Sequence, residues 1–342
     1  MSRILLILSC TIALSLLLAA QQPRQIESPS AATVPDLPAF VDDEKFFDDL
    51  MDKITDLAKD GKCLAHDKLL AKLNSGKPVK LSPGKPADRA LSPEEVYKRA
   101  LPSVFVIGSV YKDKDGDWQD GLYATAWVVG SDGVLVTNWH VFEDLEKDEV
   151  FGAMDHKGNI YPVIDFLGGD KVADVAIFRI DAKNLSPLPI AESFAEIGSW
   201  VGVLSHPGDN FYVFTTGAVT RYSTNKNDKG HRERWMGVTA EYAGGSSGAP
   251  ILNKYGAVAG MAALTLTLDD GKGAVNPATK RRMILGQPPQ MRQGKAKRQP
   301  PVAPPPREKP DPNAPQKPAP ASVQMIIKMG VPGPTIRRSF SK

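Results

Sequence analysis

The 342-residue chain is predicted to be all-β and built as two barrels, and three observations lead there. Short runs rich in Val, Ile, Thr and aromatic residues recur from Ser103 to Ala262, punctuated by Gly, Asp and Asn as strands are by turns. Helical periodicity is confined to the stretch before Ser103. The runs fall into two series on either side of Pro187-Leu188-Pro189. Many short strands with few helices make a sandwich or barrel, and two series make two barrels.

The elements follow in chain order. Met1-Ser2-Arg3, an apolar run from Ile4 to Ala20 and then Gln21-Gln22-Pro23 match a secretory signal, residues 1–20, cleaved near Ala20. The alternative is an uncleaved anchor, since the run is only slightly short of a span of about 20 residues. The apolar stretch before Cys10 is too short to mark lipid attachment. After cleavage Cys63 is the only cysteine, so no intramolecular disulfide is expected. Cys63 and His66 have no second ligand pair nearby, so no metal is expected either.

Residues 21–39 are rich in Gln, Pro, Ser and Ala without a hydrophobic period, a tether. Residues 40–74 form a helical segment. Phe46, Phe47, Leu50, Met51, Ile54 and Leu57, then Leu64, Leu69, Leu70 and Leu73, recur at three- and four-residue steps as two short amphipathic helices. Such a stripe covers its own core, pairs with another copy or serves as a pro-segment. Residues 75–90 are a Gly/Pro/Lys linker.

The first barrel spans 91–190. It opens on a helix start in which Ser92 is the cap, Pro93 the first helical residue and Glu95 the partner in a capping box, and Pro102 ends that helix. Strands are expected at 104–111, 125–129, 134–137 and 175–180, and in the second barrel, 191–267, at 200–204, 212–219, 235–239, 249–252 and 257–262. Residues 268–322, including Lys280-Arg281-Arg282 and Pro304-Pro305-Pro306, cannot build a core and are expected to be a disordered insertion. Hydrophobicity returns in Val323 to Pro332, so 323–342 is expected to supply a strand, which needs a sheet to join, and a tail.

The chemistry centres on Ser247 in Gly244-Gly245-Ser246-Ser247-Gly248-Ala249-Pro250. A serine hydroxyl is a poor nucleophile at neutral pH and needs a base, and the base needs a group that holds its tautomer. His140 in Thr137-Asn138-Trp139-His140 and Asp174 in Ala173-Asp174-Val175 stand in the first series, Ser247 in the second. A cleft between two barrels lets the three converge. His206 lies in the turn Ser205-His206-Pro207-Gly208 and reads as structural, while His156 and His231 sit in polar loops.

These three motifs, over roughly residues 91–265, resemble the trypsin-like, chymotrypsin-fold serine proteases, closest to the disulfide-free bacterial HtrA/Deg branch. The resemblance implies two antiparallel six-stranded barrels with the active site in the cleft between them, and in it Val323 to Ile336 matches the final strand and short helix, so that 323–342 completes the second barrel and 268–322 is an insertion inside it. It implies a serine endopeptidase acting on polypeptides through an acyl-enzyme, with His140 as base then acid, Asp174 as orienting carboxylate, Ser247 as nucleophile, and the N–H groups of Gly245 and Ser247 as oxyanion hole. Glu241, six residues before Ser247, matches the base of the primary pocket, where a carboxylate favours Lys or Arg; alternatively Ala262 and Ala263 line a small apolar pocket.

The chain also departs from the pattern. Ser246 replaces the usual Asp or Asn before the nucleophile, and no PDZ module is recognisable after the second barrel. No cofactor is expected, and at a net charge of +3 no nucleic acid partner. The basic segment 268–322 is a solvated loop or a weak contact for anionic surfaces. An exported scaffold or binding protein that keeps the fold without turnover is the alternative function.

Overall fold

The computed structural model describes residues 40–73, 82–227, 230–269, 282–285 and 323–340. The expected signal, the tether and most of 268–322 lie outside the described residues. The chain divides into Met1–Phe40 and Val41–Lys342, and every element below belongs to the second unit.

Two helices precede the sheets, α1 (Asp43–Lys59) and α2 (His66–Leu73). Asp42 caps α1 by accepting from the Lys45 N–H at 3.0 Å. Its apolar stripe buries Leu50, Met51 and Ile54 against Val106, Val110, Tyr123, Met154 and Phe211. At about 1.5–3 kcal/mol per fully buried side chain, this docking contributes several kcal/mol. The seat is cut by glycine: a Cβ on Gly152 would stand 2.8 Å from Ile54 Cγ1, and one on Gly108 3.0 Å from its Cδ1. Cys63 is packed in the same region, and burial pushes its thiol up to about 11.

Helix α3 (Pro93–Ala100) carries the capping box read from the sequence: Ser92 Oγ accepts from Glu95 N–H at 3.3 Å and Glu95 accepts from Ser92 N–H at 2.9 Å. Strands β1 (Val104–Lys112), β2 (Trp118–Gly130), β3 (Val134–Thr137), β4 (Val150–Met154), β5 (Ile160–Asp170) and β6 (Val175–Ile180) close a barrel in the order β1-β2-β3-β6-β5-β4. Side-chain alternation along β1 sends Phe105 and Ile107 into the barrel with Val128, Phe151, Phe166 and Phe178. Val104 points instead to a second core shared with Leu204, Leu252, Val258 and Met261, and Val106 to α1. A strand buried on both faces reads as one apolar run, which is why β1 was legible.

Strands β4 and β5 were not expected. Pro162, Gly168 and Gly169 interrupt β5, and the β5–β6 register shifts twice, at Val163/Asp165 and Phe166/Gly168. Bulges of this kind break the two-residue period that marks a strand.

The second sheet comprises β7 (Trp200–Ser205), β8 (Val213–Lys226), β9 (Arg232–Val238), β10 (Pro250–Asn253), β11 (Val258–Asp269), β12 (Arg282–Leu285) and β13 (Val323–Pro332), ordered β10-β7-β8-β9-β13-β11-β12. Because β10 also pairs with β11, six strands form a circuit and β12 adds to the outer half of β11. Two expectations for 268–322 are corrected here: β11 runs to Asp269, and β12 pairs Leu264 to Thr267 with Leu285 to Arg282. Paired strands satisfy backbone groups that a low-complexity composition alone does not reveal. β13 lies between β9 and β11, and α4 (Gly333–Ser339) follows it, with Ile336 and Phe340 buried in the shared core.

Candidate active site

The site lies where the end of β3, the turn before β6 and the β9–β10 loop meet. Beyond β3, residues Trp139 to Phe142 form a short 3-10 turn that carries His140. Asn138 Nδ2 donates to the Asp174 carbonyl at 3.0 Å, and the His140 N–H donates to Asp174 Oδ1 at 3.0 Å. These two bonds tie the histidine turn to the aspartate turn before any imidazole contact is made. Asp174 has φ +57, in the left-handed region that Asp tolerates better than most residues.

His140 Nδ1 lies 2.9 Å and 3.1 Å from the two Asp174 carboxylate oxygens, and Nε2 lies 2.8 Å from Ser247 Oγ. A carboxylate only accepts, so Nδ1 carries the proton and Nε2 presents its lone pair to the serine. Burial lowers the His140 pKa, but the charge of Asp174, its hydrogen bond and the charge of Glu143 outweigh it, leaving the pKa above the ordinary value.

Around Ser247 the backbone is over-determined. Thr125 N–H donates to Ser247 O at 2.9 Å, Thr125 Oγ1 donates to Gly245 O at 3.0 Å, and Thr137 Oγ1 donates to Thr125 O at 2.8 Å. Thr125 thus turns the Gly245 carbonyl toward the first barrel. Among the described residues, neither the Gly245 nor the Ser247 N–H donates to a protein acceptor. Gly245 sits at φ +89, and a Cβ there would meet His206 O at 2.3 Å and Tyr123 Cε2 at 2.5 Å. Gly248 is as confined: its Cβ would meet Thr125 O at 2.1 Å. Ser246 turns inward and donates to Ser205 Oγ at 3.0 Å.

The loop from His206 to Tyr212 joins this wall to α1. Gly208 N–H donates to Gly244 O at 2.8 Å, and Asp209 N–H donates to Tyr123 Oη at 2.6 Å. Phe211 N–H donates to Asp43 Oδ1 at 2.9 Å, and Phe46 packs on Phe211 at 4.6 Å between ring centroids. His206 is buried, accepts from Tyr212 N–H through Nδ1 at 3.0 Å, and is held neutral because burial pulls its pKa to about 3. It is a structural histidine.

His140, Asp174, Ser247 and Gly245 are therefore brought together. The specificity residues are arranged differently. Ala262 adjoins the serine loop through the backbone, accepting from Gly248 N–H and donating to Ala249 O, yet its side chain is buried in the core that includes Val201 and Ile251, and that of Ala263 in the core that includes Trp127 and Val129. Glu241 is 71% exposed, and its carboxylate lies 3.2 Å from the Lys328 ammonium, from β13. Thr125, Thr137, Tyr123, the loop from His206 to Tyr212, and Lys328 were not singled out as site residues from the sequence. Only Thr137 carried a signal, its place in the histidine motif.

Comparison with known proteins places this site in context. Residues 124–261 match the family model described as "Trypsin-like peptidase domain", a span that contains His140, Asp174 and Ser247. A protein of Chlamydia muridarum named "Probable periplasmic serine endoprotease DegP-like" is 32% identical over 144 residues, covering 42% of this chain and 28% of that protein. "Serine endoprotease DegS" of Haemophilus influenzae is 26% identical over 186 residues, 53% of this chain and 52% of that protein. The chain thus spans about half or less of these relatives. The crystal structure of the serine endoprotease from Yersinia pestis aligns over 51% of this chain and 58% of that one, at 22% identity and a TM-score of 0.40.

Proposed function

We propose that this chain, which carries a trypsin-like peptidase domain, is an exported serine endopeptidase that cleaves polypeptides through Ser247, His140 and Asp174. The observation that carries the reading is the unbroken relay of 2.8 Å from Ser247 Oγ to His140 Nε2 and 2.9 Å from His140 Nδ1 to Asp174.

In the first half-reaction Ser247 Oγ attacks the scissile carbonyl carbon while its proton passes to His140 Nε2. Asp174 stabilises the imidazolium that forms and keeps the ring from turning. The carbonyl oxygen, now an oxyanion, accepts from the N–H groups of Gly245 and Ser247, which have no competing acceptor among the described residues. His140 then protonates the departing amine, leaving Ser247 acylated. Water, deprotonated by His140, attacks the ester and restores the serine. No cofactor enters this scheme.

Export rests on the basic start and apolar run of residues 1–20 and on the periplasmic designation in the name of the Chlamydia relative. Among the described residues no helix is long and apolar enough to cross a membrane. The domain limits we infer are 91–190 for the first barrel and 191–267 joined by 323–342 for the second, with β11 running two residues further to Asp269.

A serine-directed fluorophosphonate tests the reading. Wild type is labelled and Ser247→Ala is not, and substitution of Ser247 or His140 lowers kcat on the order of 10⁶-fold. An unlabelled wild type refutes turnover and favours the scaffold alternative.

A further inference from the structure

Glu241, the residue the trypsin-like resemblance puts at the base of the primary pocket, does not stand there alone. Lys328 reaches it from β13 and is itself almost wholly enclosed, its side chain 7% exposed. Its ammonium donates to the Tyr242 carbonyl at 2.5 Å, lies 3.2 Å from Glu241 Oε2, and sits 5.6 Å from the Tyr242 ring centroid. Tyr242 closes the back of this region, its hydroxyl donating to Leu264 O at 3.4 Å.

The register places the Lys328 backbone relative to Ser247, and the Tyr242 carbonyl, five residues before Ser247, places its ammonium. Ala262 on β11 is hydrogen-bonded to Gly248 and Ala249, the residues just after the nucleophile, and Lys328 stands opposite Thr265 on the same strand. The register shift between Ala262 and Leu264 sets three residues of β11 against two of β13, so at about 3.3 Å per residue the Lys328 backbone stands about 7–10 Å along the sheet from the serine loop. That is the depth of a long side chain inserted beside a scissile bond.

The two charges at this depth are not equivalent. Lys328 is fixed: it is enclosed, with a main-chain carbonyl and an aromatic face around its ammonium. Glu241 is 71% exposed, so its carboxylate swings into solvent at little cost. The desolvation of the cation is already met in the folded protein, and an arriving carboxylate takes the position Glu241 vacates. An arriving Lys or Arg would bring a second cation beside an enclosed one.

We propose that Lys328 determines specificity and that the site takes peptides with Asp or Glu on the amino side of the scissile bond. This rests on the triad reading above, and it reverses the basic preference that Glu241 alone implies.

Four quenched peptides differing only at that residue, Glu, Asp, Leu or Lys, are assayed with full-length wild type, Lys328→Met, Lys328→Arg and Glu241→Gln, alongside fluorophosphonate labelling. Wild type is expected to cleave the Glu and Asp peptides with kcat/KM at least about tenfold above the Lys peptide, the range of one charge-assisted hydrogen bond. Glu241→Gln should widen that ratio, Lys328→Arg keep its direction, and Lys328→Met lower it about 10- to 100-fold while labelling persists. If Lys328→Met fails to fold, Glu241→Gln decides, since it removes no enclosed charge. A labelled wild type that prefers Leu or Lys, or a ratio unmoved by Glu241→Gln and Lys328→Met, overturns the proposal and leaves the triad standing. An unlabelled wild type overturns both.

Discussion

Gly245→Ala isolates the oxyanion wall from general stability. At φ +89 any L side chain carries a backbone penalty of about 1–2 kcal/mol. The new methyl would also stand 2.3 Å from His206 O and 2.5 Å from Tyr123 Cε2, where ordinary contact begins at 3.4 Å. His206 O is backbone, fixed by a buried ring, so the loop has to retreat by about 1 Å. A displacement of that size misaligns the Gly245 N–H, and loss of one such donor costs on the order of 10²–10³-fold in kcat. Gly61→Ala is the control: Gly61 has φ +65 with nothing within 4 Å of its Cβ, so it carries the backbone penalty without the clash. The assay is steady-state hydrolysis of a peptide substrate with thermal melts on both variants. Both should lose stability, and only Gly245→Ala should lose kcat beyond about 100-fold with KM little changed. Gly245→Ala retaining more than about half of wild-type kcat would refute the oxyanion assignment.

Other expectations follow from the same geometry. His140 must be neutral to accept the serine proton, and its pKa is raised, so kcat/KM should fall with decreasing pH along a limb centred above the ordinary histidine value; Asp174→Asn should lower kcat on the order of 10⁴-fold and move that limb down, and an unmoved limb would exclude His140 as the base. His206 has a depressed folded pKa of about 3, so the unfolded chain binds the extra proton and stability should drop as pH falls from about 6.5 toward 3, by at most about 1.4 kcal/mol per unit; His206→Gln should flatten this slope in denaturant titrations. Ile54→Ala should cost about 2–5 kcal/mol by opening a cavity under α1, and a melt unchanged from wild type would mean α1 is not docked in solution. Truncation at residue 268 removes β13 and α4, with Met329, Val331, Ile336 and Phe340 from the shared core, and should yield protein that is unfolded by circular dichroism and inactive; a stable, active truncation would refute the placement of β13 in the barrel.

The short apolar runs of β1, β3 and β6, the cap at Ser92 and the small-residue motifs around His140, Asp174 and Ser247 are local patterns, fixed within a few residues, and so they could be read without coordinates. The order His, Asp, Ser across two strand series also came through, because it depends only on chain order. Strand β5 stayed hidden, since Pro162, the paired glycines and two register shifts erase the two-residue period, and β4 is only five residues long with Gly152 at its centre. Tertiary structure decided what each buried group meets. Thr125 holds the Gly245 carbonyl from another barrel, α1 braces the loop that braces Gly244, and Lys328, 86 residues beyond Tyr242, reaches the residue that looked like a lone acidic pocket base. Such contacts are set by which strands pair and in which register, and register is a property of the whole sheet rather than of any short stretch of sequence.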